Sequence, residues 1–122
     1  MHRKKDRNWR TQATHDRFHA YIDGGHLDNG CALCSLKTIQ EFTYWRTVEN
    51  TFPYDAVTSL HHMLLPVRHT DGDDLSFEET EELRALKKSI LNDDYNFVLE
   101  CLPKAKSIPE HFHLHLLVPK AI

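Results

Sequence analysis

Apolar positions recur along this chain in two rhythms. In residues 11–23, TQATHDRFHAYID, the residues Phe18, Tyr21 and Ile22 fall on one side of a helix, and Gly24 with Gly25 would stop it. Gly30 opens a new segment, CALCSLKTIQEF. Residues 43–50, TYWRTVEN, are aromatic and β-branched and read as a strand, with a loop at Pro53, Tyr54 and Asp55. A second strand is expected over 60–65, LHHMLL, closed by Pro66 and followed by the turn VRHTDGDD. Ser76 and Glu79 have the spacing of a capping box, just ahead of an apolar stripe at Leu83, Leu86 and Ile90, which predicts a helix over about 76–91 ended by Asn92, Asp93 and Asp94. Residues 95–102 and 111–118 read as third and fourth strands, separated by a loop with two prolines. Helix, strand, strand, helix, strand, strand is an α+β order, and hairpin-type connections favour an antiparallel sheet.

The last strand raises a chemical question. In EHFHLHLL, residues 110–117, histidine occupies every second position. Alternate residues of a strand share a face and rise ~3.3 Å each, so His111, His113 and His115 would stand side by side, roughly 6–7 Å apart. Phe112, Leu114 and Leu116 would enter the core from the other face. One histidine there would be unremarked; three titratable imidazoles between apolar residues point to a site.

Composition sets the frame for that site. The 122 residues fit one domain, with 40% hydrophobic and 27% charged residues. The net charge of −3 gives no electrostatic case for bulk nucleic-acid binding. Charge is uneven: MHRKKDRNWR at the start is basic and DGDDLSFEETEE in the middle is acidic, and both read as solvated surface or helix start. No apolar run approaches the ~20 residues of a membrane span, and the expectation is a protein without membrane contact or secretory signal. Three cysteines, an odd number, argue against a disulfide framework and for a reducing, cytoplasmic setting. Ten histidines stand out, because imidazole titrates, ligates metals and attacks phosphorus near neutral pH.

The run His111-Phe-His-Leu-His-Leu-Leu117 resembles the motif His-φ-His-φ-His-φ-φ, with φ apolar, of the histidine triad (HIT) family. Residues 60–69, LHHMLLPVRH, are similar to that family's strand G-H-x-L-V-x-P-x-x-H; Cys31-Ala-Leu-Cys34 lies where many members carry C-x-x-C; Asn50-Thr-Phe-Pro53 resembles an N-x-x-P ahead of the strand. The likeness spans about residues 31–118, so 31–122 would be the HIT domain and 1–30 an added basic arm and short helix. It implies an antiparallel sheet of about five strands with one long helix, normally a homodimer. It also implies a nucleotide substrate, cleaved at the α-phosphorus through a covalent nucleotidyl-histidine: His113 as nucleophile, His115 beside the transferring phosphate to assist charge neutralisation or leaving-group protonation, His111 holding the geometry. Nucleoside phosphoramidates, nucleotidyl conjugates and dinucleoside polyphosphates would be the substrates. Histidine rather than glutamine at the third position leans toward the hydrolase branches.

The resemblance further implies a structural zinc on Cys31, Cys34, His61 and His111, a donor set that suits tetrahedral zinc. A redox C-x-x-C or two unrelated buried cysteines compete with it; Cys101 reads as a small core residue. His61 and His62 should point to opposite faces of their strand. Some positions depart from the family pattern. Where nucleotide-binding members often carry Gly-Gln or serine before the triad, this chain has Lys106-Ser-Ile-Pro-Glu110, with Ser107 the candidate phosphate donor and Glu110 expected to face away. The loop from Asn50 to His61 is longer than usual, which bears on Asn50 as a ribose contact. Arg68 and His69 would meet phosphate or be solvated turn residues, the second being favoured. Trp45, Phe52 and Tyr54 would stack a base or, as favoured, fill the core. A different class remains open: a non-catalytic nucleotide- or zinc-binding interaction module that docks a partner through its basic arm, or a core merely stabilised by zinc.

Overall fold

A computed structural model describes residues 9–28 and 30–121. The first eight residues, which hold most of the basic arm, lie outside the described residues. The elements in chain order are α1 (Gln12–Asp23), β1 (Thr38–Glu41), β2 (Trp45–Glu49), β3 (Thr58–Pro66), α2 (Phe77–Lys88), α3 (Ile90–Asp94), β4 (Phe97–Leu99) and β5 (Leu114–Pro119), with single 3₁₀ turns at His26–Asp28 and Pro103–Ala105. The five strands form one antiparallel sheet in the order β1-β2-β3-β5-β4. No helix among the described residues is long and apolar enough to cross a membrane.

Strand alternation divides the sheet's residues between two faces. Trp45, Leu64, Leu114 and Leu116 pack with Leu86 of α2 and Leu91 of α3 on one face. Val48, Met63 and Leu65 pack with Leu33 on the other, beside Cys31 and Leu36. Helix α2 is fixed by its first turn. Ser76 Oγ accepts from the Glu79 N–H at 3.0 Å, and Glu79 Oε1 accepts from the Ser76 N–H at 2.8 Å, the reciprocal capping expected. The Trp45 indole donates to the Glu79 carbonyl at 2.8 Å, tying the helix start to β2.

The elements depart from the sequence expectation mainly at the long helix, at the third and fourth strands and at one unexpected strand. The long helix breaks at Ser89, whose hydroxyl donates to the Ala85 carbonyl at 2.8 Å and whose N–H reaches back to Leu86. The third strand keeps only Phe97–Leu99, the three residues that pair with Leu117, Leu116 and His115 of β5. Strand β1 has no counterpart in the sequence pattern, because TIQE is a mostly exposed edge strand with no apolar alternation. The fourth strand begins at Leu114, not at 111. In the extended stretch before it, the Phe112 N–H donates to the Thr70 carbonyl at 2.6 Å and the His111 carbonyl is taken by a side chain, so these groups are satisfied outside the ladder.

Thr70 belongs to the β3–α2 turn, and that turn braces the histidine segment. Gly72 has φ 95°, and a Cβ there would lie 2.6 Å from the Phe112 ring. Both backbone strain and collision therefore oppose any side chain. Gly72→Ala should lower the unfolding free energy by ~1–3 kcal/mol in denaturant melts; a loss below about 0.5 kcal/mol would show that the turn does not brace Phe112.

Candidate functional site

On the sheet face away from α2, residue 63 pairs with 115 and residue 61 with 117, which sets the His61 and His115 side chains close together. Their hydrogen bonds determine their protonation. The Tyr54 N–H donates to His61 Nδ1 at 2.9 Å, so that nitrogen carries a lone pair and the neutral ring holds its proton on Nε2. His61 Nε2–H then donates to His115 Nδ1 at 2.8 Å. His115 must in turn carry its own proton on Nε2. The Asn50 amide nitrogen, 3.2 Å from His61 Nε2, adds contact rather than a second bond, since that proton already goes to His115. The other amide atom, Asn50 Oδ1, accepts from the Phe52 N–H at 2.8 Å. His62 faces the opposite way, 2.7 Å from the Tyr95 hydroxyl.

His113 has the reverse arrangement. Its Nδ1–H donates to the His111 carbonyl at 2.9 Å, leaving Nε2 as the nitrogen with the lone pair. His111 itself donates from Nε2 to the Pro66 carbonyl at 3.2 Å, so its bare Nδ1 faces Cys31 and Cys34, at 3.4 and 3.3 Å from their sulfurs. His69 Nδ1 completes the group at 3.2 Å from Cys34 Sγ. These four donor atoms lie within 4.8 Å of one another and could hold a metal ion. Two thiols and two imidazoles in this spacing suit a tetrahedral site, and the His111–Pro66 bond is the outer-shell contact that fixes a ligating imidazole's tautomer. Burial, and after it the hydrogen bond and charge of Cys31, push the Cys34 thiol up.

The metal-donor set therefore differs from the sequence expectation at one position. His61 is not part of it: its ring is bound to Tyr54 and His115. His69 takes its place, because β3 ends at Pro66 and the turn folds residue 69 back over His111, with ring centroids 5.0 Å apart. His69 is thus not a merely solvated turn residue. Arg68, beside it, is engaged away from the histidines, making paired 2.9 Å bonds to Glu79 and further bonds to Asp74. The P-x-x-H spacing at 66–69 was the available signal for His69.

His111, His113 and His115 are all buried, at 1%, 7% and 5% exposure, yet His113 and His115 open on a cavity of about 550 Å³. That volume is in the range of small-molecule sites. Asn50 and Ser107 line it, as does the half-buried Phe52; Tyr54 is buried core, as favoured, and also forms part of the cavity wall, and Trp45 is core as favoured. Cys101 is half-buried at the cavity edge instead of inside the core. The floor is the β3 and β5 histidine face. One wall comes from α1, which presents Phe18, Tyr21 and Ile22, and another from the Lys104–Ile108 loop.

Burial pushes His61 down to about 3, with the charge of Arg10 as the next cause, and pushes His115 well below its ordinary value. Both rings are neutral in the fold, whereas in the unfolded chain they would take up protons below about pH 6.5. The unfolded state then binds more protons, so stability is complete above that pH and falls as pH drops toward the native values. Denaturant melts between pH 7 and pH 5 should show unfolding free energy decreasing with acid, with a shallower slope in His61→Asn. Identical slopes would contradict a neutral, buried His61.

No protein-family model matches the sequence, and no curated protein does. Solved structures do. A hypothetical protein from Leishmania major aligns with a TM-score of 0.59 at 18% identity, over 79% of this chain and 77% of that one. A histidine triad protein from Clostridium difficile aligns at 0.53 and 17% identity, over 77% of this chain and 94% of its own. A HIT family hydrolase from Legionella pneumophila aligns at 0.51 and 17% identity, over 75% and 95% respectively. The chain shares the fold of these histidine triad proteins.

Proposed function

We propose that this protein is a histidine triad-type nucleotide hydrolase or nucleotidyl transferase, acting at the α-phosphate of nucleoside phosphoramidates, nucleotidyl conjugates or dinucleoside polyphosphates. The observation that carries the reading is the opposite tautomers of two neighbouring imidazoles on one cavity wall. His113, its Nδ1–H bound to a carbonyl, offers a lone pair at Nε2; His115, its Nδ1 occupied by His61, offers a proton at Nε2. A nucleophile and a hydrogen-bond donor side by side are what displacement at phosphorus asks for.

In the proposed reaction, His113 Nε2 attacks the α-phosphorus. The N–P bond forms as the bond to the leaving atom breaks, with the electron pair departing on the leaving group. The Nδ1–H of His113 stays on the His111 carbonyl throughout, so the adduct is an imidazolium and remains easy to displace. Water then attacks phosphorus, the pair returns to Nε2, and the water's proton passes to solvent. His115 Nε2–H would donate to a phosphoryl oxygen. Asn50 and Ser107, both on the cavity wall, are proposed substrate contacts, with Phe18, Phe52 and Tyr54 as apolar surface for a base. The cavity's charge supports an anionic substrate: Arg10, Lys104 and Lys106 line it and no carboxylate among the described residues does, in a chain of net charge −3.

We propose zinc for the Cys31, Cys34, His69 and His111 cluster, where it would tie the segment before β1 to the nucleophile's support and supply no chemistry to the substrate. About one equivalent of zinc per chain should bind and raise the melting temperature. His69→Ala should abolish stoichiometric binding, and His61→Asn should retain it. Loss of zinc from the His61 variant alone would return His61 to the ligand set.

His113→Ala should lower nucleoside monophosphate release by at least about 10³-fold without lowering the melting temperature to match. Equal turnover in variant and wild type would refute His113 as nucleophile. Tight nucleotide binding by the wild type with no turnover at all would favour the non-catalytic binding module.

A further inference from the structure

Arg46 is a charged residue on an apolar face. It sits in β2 two residues before Val48, so strand alternation sends its side chain to the side of the sheet where Leu33, Val48, Met63 and Leu65 pack. It is buried, at 7% exposure. Glu41 is its cross-strand partner in β1, but Glu41 is exposed, and no ion pair joins Arg46 to a carboxylate among the described residues. A charge taken out of water needs hydrogen bonds in return, and Arg46 finds them in one place. Its Nη1 donates to the Leu36 carbonyl at 2.8 Å and to Thr38 Oγ1 at 3.0 Å. Its Nη2 donates to the Leu33 carbonyl at 2.8 Å and reaches the Cys34 carbonyl at 3.5 Å.

These acceptors all fall within residues 33–38, the segment that carries Cys34 and leads from Cys31 into β1. Residues 31–37 lie outside the sheet ladder. Their turn is closed by the Leu36 N–H on the Leu33 carbonyl at 3.3 Å and by the Ser35 hydroxyl on the Ala32 carbonyl at 3.0 Å. The two sulfurs of this turn nonetheless converge on one nitrogen, His111 Nδ1, at 3.4 and 3.3 Å. That nitrogen is aimed from elsewhere, by the bond of His111 Nε2 to the Pro66 carbonyl. The thiols therefore need a directional hold of their own. Apolar packing of Leu33 resists withdrawal of the turn but does not set its orientation. A planar fork bonded to several successive carbonyls does.

We propose that Arg46 is the positioning residue of the metal centre: its guanidinium, spread over the carbonyls of Leu33, Cys34 and Leu36, holds the C-x-x-C turn in the shape that brings both sulfurs to the ion. The inference rests on the zinc reading of Cys31, Cys34, His69 and His111 above and adds a residue that bonds none of the four donor atoms. Lysine cannot stand in for it. A compact ammonium keeps the charge but not the planar spread of donors that reaches carbonyls three residues apart.

The experiment titrates wild type, Arg46→Lys, Arg46→Gln and Thr38→Val with Zn2+ against a chromophoric chelator, and loads each with Co2+ for absorption spectroscopy. Arg46→Lys should bind Zn2+ about 10-fold more weakly than wild type and Arg46→Gln about 100-fold, the range for removal of an outer-shell contact. In both, the sulfur-to-cobalt charge-transfer absorption should drop, as one thiolate leaves the ion. Thr38→Val, which removes only the acceptor outside the turn, should match wild type in affinity and spectrum. A merely fastening role would lower the melting temperature of the metal-free protein and leave the cobalt spectrum of the loaded variants intact. Weaker binding with an unchanged spectrum therefore overturns the proposal, as does an equal loss in Thr38→Val. If Arg46→Gln does not fold, Arg46→Lys decides. Wild type that binds no stoichiometric metal overturns the zinc reading and this inference together; wild type that binds it, with both Arg46 variants equal to it, overturns this inference alone.

Discussion

The hydrogen bond from His113 Nδ1 to the His111 carbonyl governs the rest of this site. It decides which nitrogen of His113 has a lone pair, and it makes the position of that ring depend on the backbone of His111. That backbone is held in turn. The His111 ring is fastened to the Pro66 carbonyl and faces two thiols, and the next N–H is fastened to Thr70. A buried donor or acceptor left unmade costs ~1–3 kcal/mol, so each of these contacts penalises rotation of the segment. The cluster of Cys31, Cys34, His69 and His111 is thus mechanically continuous with the cavity although none of its donors faces it.

The second histidine pair obeys the same logic from the other side. A single backbone N–H, that of Tyr54, sets the His61 tautomer, and His61 sets that of His115. Burial keeps both rings neutral, which suits hydrogen-bond donation and excludes easy proton delivery. Helix α1 forms a wall of the cavity on which His115 opens. Its anchoring through Asp55 joins it to the loop that carries Tyr54, so the element outside the family resemblance is built into the site's wall.

Much of this was legible in the sequence where a periodicity or a local motif applied. The alternation at 111–115 placed three histidines together, the capping box at Ser76 and Glu79 placed α2, and strand alternation separated His61 from His62. What was illegible depended on contacts between distant residues. His69 follows Pro66 in a turn, where strand period no longer says which way a side chain points, and the family resemblance points to His61 instead. Strand β1 hides because an exposed edge needs no apolar face. Arg10 meets Phe52, 42 residues away, and no local pattern announces such a contact. Phe52, half-buried on the cavity wall, carries the same signature as a core aromatic, because sequence does not say whether such a ring faces protein or a cavity.

The most direct test of this account is rapid quench of the protein with a nucleotide substrate, followed by peptide mass spectrometry under alkaline conditions that preserve phosphoramidates. A nucleotidyl adduct on His113 should form and decay at the rate of turnover. An adduct on another residue, or turnover with none at any time, would contradict it.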